Sequence, residues 1–377
     1  MGKENHTSHQ LSHLFNDLFT ITSPHMQYLR DSNCREYIGY YSDCLLWDFG
    51  YLNSTINQRI NAAVMTQRAS GSPINIDVLI TEIQGLLISQ LPKGLKSLYF
   101  NQTDFGNILS QTFLTKKNKN FLTLESTGLP FHLSGERITA INDYHNIEDF
   151  GDLERFLKDQ KKNTAAFIID PYIKEKGRLA TPEEMASLLQ FINKSGIPLI
   201  WIESSIGLGR TGQVFTTAYY NAKPDLLVYS GDLLGDRQIH LLATTRKYKK
   251  AITDQAPTLR PSDAGGLLMF KVLLESLVHD DMLLRIQSLG HRFLGKVRAL
   301  DANTTETFLF RGVGLCLFLD FQKPGKAKDF QSFMASRGIL VHCSQWRPSV
   351  VCLFPPFVLE DADVDTFIEG MMQFFVK

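Results

Sequence analysis

Between residues 96 and 245 short apolar runs alternate with longer amphipathic stretches. The runs "KSLYF" (96–100), "AAFIID" (165–170), "PLIWIE" (198–203), "DLLVYS" (225–230) and "HLLATT" (240–245) read as strands of a mostly parallel sheet joined by crossover helices. The clearest crossover helix lies between the second and third runs, where Thr181 and Glu184 make a capping box, Pro182 sits in the first turn and Gly196 marks the stop. From about residue 264 a long helical run, with an expected break near Gly290, leads into a second lobe. That lobe offers strands at 314–321, 339–343 and 350–354 and a helix ending near Gly338. It closes with a helix after Asp361 whose Val364, Phe367, Ile368, Met371 and Phe375 keep a helical period.

Composition narrows the partners. The 377 residues carry 39 Lys plus Arg against 39 Asp plus Glu, so no basic field exists to hold nucleic acid or anionic lipid. No apolar stretch has the length of a membrane span or the form of a signal peptide, and a cytoplasmic location is expected. The five cysteines, Cys34, Cys44, Cys316, Cys343 and Cys352, are odd in number and widely spaced, which reads as reduced thiols rather than a disulfide framework or a zinc site.

The chemistry-bearing stretch is "IESSIGLGRTG" (202–212). Gly207, Gly209 and Gly212 satisfy G-x-G-x-x-G after a strand, with Asp232 further on as the acid a dinucleotide fingerprint asks for. Only "QVFTTAYYNAKP" remains for the crossover helix, barely two turns, so the bland reading is preferred: glycines that let a tight loop take positive φ and pack closely.

A wider reading covers more residues. Asp170 and Pro171, Glu203, the loop Gly207, Gly209, Arg210, Thr211 and Gly212, then Phe215, Tyr220 and the Pro224, Asp225 pair fall in one ungapped register. Fainter similarity reaches residues 35–50, 310–321 and 352–371. This pattern resembles the class III aminotransferases of the ornithine and acetylornithine type. The resemblance implies an α/β fold of the fold type I, pyridoxal phosphate (PLP)-dependent kind: a large, mostly parallel sheet domain at 56–265 and a smaller α+β domain from both chain ends, 1–55 and, with its connecting helix, 266–377. It also implies a dimer with the site at the subunit boundary.

Against the family's pattern, several anchors fall on residues unable to serve. PLP chemistry needs a Schiff-base lysine, an acid on the pyridine nitrogen, a ring stacked on the cofactor and donors round the phosphate. The lysine position falls on Gly231, in "VYSGDLL", and the nearest lysine in sequence is Lys223. The ring-nitrogen acid falls on Ile202, against which a pyridinium would be an unpaired buried charge. The phosphate loop becomes "NQTDFGN", with Thr103 and a repelling Asp104, and the stacking aromatic falls near Gly128, with Phe131 close by. The arginine for a substrate carboxylate falls on Cys352.

The expectation is therefore a pseudo-aminotransferase, a non-catalytic binding or regulatory protein or a partner subunit, without PLP or a metal. PLP returns only if the register above is wrong. The expected partner is a second copy or a related aminotransferase-like chain. The retained Glu203, Arg210 and glycines are expected to brace a loop, with Glu203 and Arg210 as a pair. A rival reading reuses the cleft for another reaction, with Glu203, Asp232, Asp236 or His240 as acid or base. His342 and Cys343, adjacent on a strand, should face opposite ways. His6, His9 and His13 read as a solvated arm, and "RKYKK" (246–250) as a solvated helix start.

Overall fold

The computed structural model describes residues 20–71, 73–115, 120–124, 129, 133, 138–140, 158–159, 161–203, 206–234, 237–255, 263–301 and 307–375. Gly128, Phe131, Asp236 and the three amino-terminal histidines lie outside them.

A seven-stranded sheet forms the centre, in the order Leu95–Asn101, Arg237–Thr245, Leu226–Leu234, Leu199–Glu203, Thr164–Ile169, Asn120–Thr123, Ile138–Ala140. All five expected strands are present. Arg237–Thr245 runs antiparallel to both neighbours, and the other described pairings of the sheet are parallel. Thr164–Ile169 and Leu199–Glu203 are buried along their whole length, which is why they read as unbroken apolar runs rather than alternations. The helix Pro182–Ser195 has the expected capping box, Pro182 at its start and Gly196 as a left-handed stop at φ 69°.

The segments at the two ends of the described chain meet. Ile38 and Gly39 pair in parallel with Ile339 and Leu340, completing a sheet with Ile21–His25 and Tyr28–Asp31. A second four-stranded sheet is ordered Leu309–Val313, Cys316–Asp320, Val350–Leu353, His342–Cys343. The stretch 339–343 thus supplies two short strands to two sheets, where one strand was expected.

The long helical run breaks elsewhere than Gly290. One helix spans Ala264–His279 and the next Met282–Asp301, and the break is at Asp281, φ 54°. Gly290 stays inside the second helix for a tertiary reason: a Cβ there would collide with the backbone of Gly314. The helix Ala264–His279 packs on Ser54–Ala69 and Ile76–Leu87 and, through Phe270, on Phe100 and Tyr229 of the sheet. The helix after Asp361 spans Asp361–Phe375 and buries Val364, Phe367, Ile368 and Met371. No helix of the described residues is long and apolar enough to cross a membrane.

Candidate functional site

The strand Leu226–Leu234 continues through position 231 and pairs antiparallel with Arg237–Thr245, Ser230 with His240, Gly231 with Ile239 and Asp232 with Gln238, with a register shift between Asp232 and Leu234. Alternation along it puts Ser230 on the face of Val228, where Ile202 also packs, and Tyr229 with Gly231 on the other. A cavity of about 330 Å3 opens at this end of the sheet, lined by residues that include Asp43, Lys174, Gly207, Ser230, Gly231, Asp232 and His240. A second, of about 190 Å3, adjoins it through Tyr41, Lys174 and Phe354 and reaches His342, Trp346 and Cys352.

Gly231 lines the larger cavity, and the space a Cβ would take at that position is filled by the Tyr229 phenol. Tyr229 is held by burial and by stacking on Phe270, centroids 6.2 Å apart, and burial keeps its hydroxyl protonated far above the usual tyrosine range. Ile202 is wholly buried among Ile200, Val228 and Leu242 and lines neither cavity. Asp104, just ahead of the helix Gly106–Phe113, accepts from the Gly106 amide at 2.8 Å, so a carboxylate already sits at the helix start, and Thr103 accepts from Asn101 Nδ2 at 3.1 Å. Cys352 lies 3.7 Å from the Tyr172 hydroxyl, and burial pushes its thiol up to about 12.

Two expectations change. Glu203 does not face the cleft: its Oε1 accepts from Trp201 Nε1 at 3.1 Å and Thr216 Oγ1 at 2.8 Å, on the far side of the strand from Ile202. Burial pushes this carboxyl up to about 8 against the donation from Thr216. Nor does Glu203 pair with Arg210. Arg210 turns the other way, donates to Asp48 and to the Pro355 carbonyl at 2.8 Å, and lies over the Phe354 and Phe357 rings. Glu203 Oε1 is already served by Trp201 and the threonine, whereas the carboxyl-terminal lobe offers Arg210 the Pro355 carbonyl and the amino-terminal segment offers Asp48, an acid that burial would otherwise leave uncompensated.

The glycine loop needs no nucleotide to explain it. Gly209 and Gly212 take φ of 96° and 78°, and a Cβ on Gly209 would stand 2.6 Å from Leu277, while one on Gly212 would strike Gln287. Both press against the long helices, and the short crossover helix is a single turn, Thr216–Tyr219. Thr211 is buried beside them.

Of the candidate acids and bases, Asp232 and His240 line the cavity; Asp232 accepts from Gln238 Nε2 at 2.8 Å. His240 is buried in its strand, and its Nδ1 lies 2.6 Å from Ser230 Oγ. Burial pulls its pKa down, with Asp104 and Asp232 pulling the other way, so the imidazole is neutral at neutral pH. His342 faces the second cavity and stacks on Tyr41, centroids 4.2 Å apart, while Cys343 turns to the Ala327 carbonyl.

Sequence reasoning missed Lys174, Asp43 and Ser230. Lys174 is buried and lines both cavities, far in sequence from Gly231 but just beyond the carboxyl end of Thr164–Ile169. Asp43 is pushed up to about 6 by surrounding protein and Asp232, although its side chain is exposed at the rim and solvent weakens the effect.

The fold of most of the chain is shared with solved structures. A phospholyase from Arthrobacter, solved in complex with phosphoethanolamine, matches with a TM-score of 0.75 at 17% identity over 95% of this chain and 94% of that one. The ornithine aminotransferase of Plasmodium yoelii matches with 0.73 at 16% over 95% and 93%. In sequence, the acetylornithine aminotransferases of Methanocaldococcus jannaschii and Pseudomonas putida are 25% and 29% identical over 60% and 64% of this chain. These matches span 57% and 58% of the two relatives' own length. Residues 103–375 match the family Aminotransferase class-III. With that match across most of its length and the fold type I arrangement above, the chain belongs to the class III aminotransferase family.

Proposed function

We propose that this protein works without PLP chemistry, as a pseudo-aminotransferase whose remodelled cleft holds a different small ligand and whose scaffold serves a binding or regulatory role. The observation that carries the reading is Gly231: it offers no amine, and the space for any side chain there is taken by the Tyr229 phenol. The other described residues agree. Ile202 lies in the core and cannot pair with a ring nitrogen, Asp104 already serves the helix start where a phosphate would sit, and Cys352 stands at the substrate-arginine position. PLP does not fit this set, and no step is derived through it. The partner we propose is a second copy or an active relative whose site this chain could complete, with light scattering of the purified chain separating dimer from monomer.

The test is to add PLP to the purified chain, record the visible absorbance, treat with borohydride and map any modified peptide. The expected result is a colourless protein with no reduced adduct. A stoichiometric adduct on any lysine overturns the reading, and Lys174, on the wall of both cavities, is the residue to inspect first.

A second reading, chemistry of another class in the same cleft, is favoured by one observation, the hydrogen bond between Ser230 and His240.

A further inference from the structure

We infer that Ser230 and His240 form a nucleophile–base dyad in the larger cavity, able to cleave small neutral or ammonium-bearing carboxylic esters by acyl transfer to Ser230. The inference rests on the reading above, that the cleft works without an imine at position 231.

The geometry is that of an activated hydroxyl. Ser230 and His240 are direct cross-strand partners in the hairpin, their side chains share one face, and both line the cavity. Oγ stands 2.6 Å from Nδ1, within the range a serine and its base require. With Ser230 donating, Nδ1 is the unprotonated nitrogen; burial keeps the resting ring neutral, and Asp104 and Asp232 favour the imidazolium once the proton is transferred. Ser230 is 8% exposed and His240 5%, enough shielding to strengthen the hydrogen bond while the cavity gives access. Around 330 Å3 suits a compact ester.

The steps balance with water as the sole co-reactant. Ser230 Oγ adds to the ester carbonyl carbon as its proton passes to His240 Nδ1. The tetrahedral adduct collapses with cleavage of the ester C–O bond, and the imidazolium returns the proton to the leaving alkoxide. Water, deprotonated by His240, then adds to the acyl carbon; the acyl–Oγ bond breaks as the imidazolium returns that proton to Ser230 Oγ, so ester plus water gives acid plus alcohol with the dyad restored. Lys174 is the cation among the described residues of this wall and favours the negative charge that develops on the carbonyl oxygen. Asp43 and Asp232 stand on the same wall and disfavour an acyl group that carries its own carboxylate.

The experiment uses the full chain, a fluorophosphonate probe and p-nitrophenyl acetate. The expected results are one label on the peptide that holds Ser230, a burst of p-nitrophenol, loss of both in Ser230→Ala, and a rate about 100-fold lower in His240→Gln. A carboxylate-bearing p-nitrophenyl ester should turn over more slowly than the acetate; equal rates overturn the substrate class. Absence of label, label confined to other residues, or hydrolysis by Ser230→Ala at the wild-type rate overturns the dyad and leaves a structural cross-strand hydrogen bond. Label mapping on the wild-type chain decides the matter even where a variant misfolds. A borohydride-stable PLP adduct sinks the proposed function, whereas missing label without an adduct sinks the dyad alone.

Discussion

Arg210 donates to Asp48 across the meeting point of the glycine loop and the amino-terminal segment, and the two side chains are only 2% and 10% exposed. The guanidinium also bonds the Pro355 carbonyl and rests on Phe354 and Phe357, so one side chain ties three distant segments together. Removing one partner strands the other's charge out of water. Arg210→Met or Asp48→Asn should each cost about 3–5 kcal/mol in urea denaturation, and the double variant should cost less than the sum. Additive losses would mean that the two side chains do not interact energetically.

The helix Met282–Asp301 contains two glycines with opposite surroundings. At Gly290 a Cβ meets the Gly314 backbone, which cannot step aside as a flexible side chain would, whereas at Gly295 nothing lies within 4 Å. Gly295→Ala should therefore stabilise by up to about 1 kcal/mol through helix propensity. Gly290→Ala should destabilise by about 1–3 kcal/mol despite the same propensity gain. Thermal melts of the two variants should move in opposite directions.

That contrast shows what the sequence could and could not reveal. The sheet strands and the Pro182–Ser195 helix were legible because their signals are local: apolar runs, a capping box, a left-handed glycine stop. Gly290 looked like a helix break because a glycine that admits a neighbouring backbone has the same letter as one that ends a helix. The orientation of Glu203 was recoverable, since it follows Ile202 on a strand and must face the other way. The Ser230–His240 pair was not legible: the Gly235-Asp236 dipeptide signals a two-residue turn that alone would set Ser230 against Leu241, and a register shift between Asp232 and Leu234 brings His240 opposite instead. Lys174 follows the carboxyl end of Thr164–Ile169, two strands from Ser230 in the sheet, where open α/β sheets gather their site residues, but nothing in its local pattern marks it.

Tyr229 and position 231 should be coupled. Gly231→Ala places a methyl against the Tyr229 ring, which burial and Phe270 hold in place, and should cost about 1–3 kcal/mol. In a Tyr229→Leu background, where the obstructing ring is gone, the same change should cost less. Chemical denaturation of the four proteins gives the coupling directly, and a Gly231→Ala penalty unchanged by Tyr229→Leu would remove the steric argument for that site.

Glu203 sets a pH dependence whose sign follows from burial. Its carboxyl is pushed from 4.5 in the unfolded reference to about 8 in the folded chain, and its Oε2 has no hydrogen-bond partner among the described residues, so ionisation would leave a buried charge uncompensated there. Between those values the folded state binds the extra proton. The contribution is therefore full below 4.5 and is lost as pH climbs to 8, by up to about 1.4 kcal/mol per pH unit. Glu203→Gln keeps an oxygen for Trp201 and Thr216 but cannot ionise. The melting temperature of the native chain should thus fall between pH 5 and pH 8 more steeply than that of the variant, in a window set by the shifted carboxyl. Because Glu203 faces Trp201 rather than the cavity, the variant should leave Ser230 labelling unchanged. A flat native profile would place the ionised form in the fold, and loss of labelling would place Glu203 in the cleft.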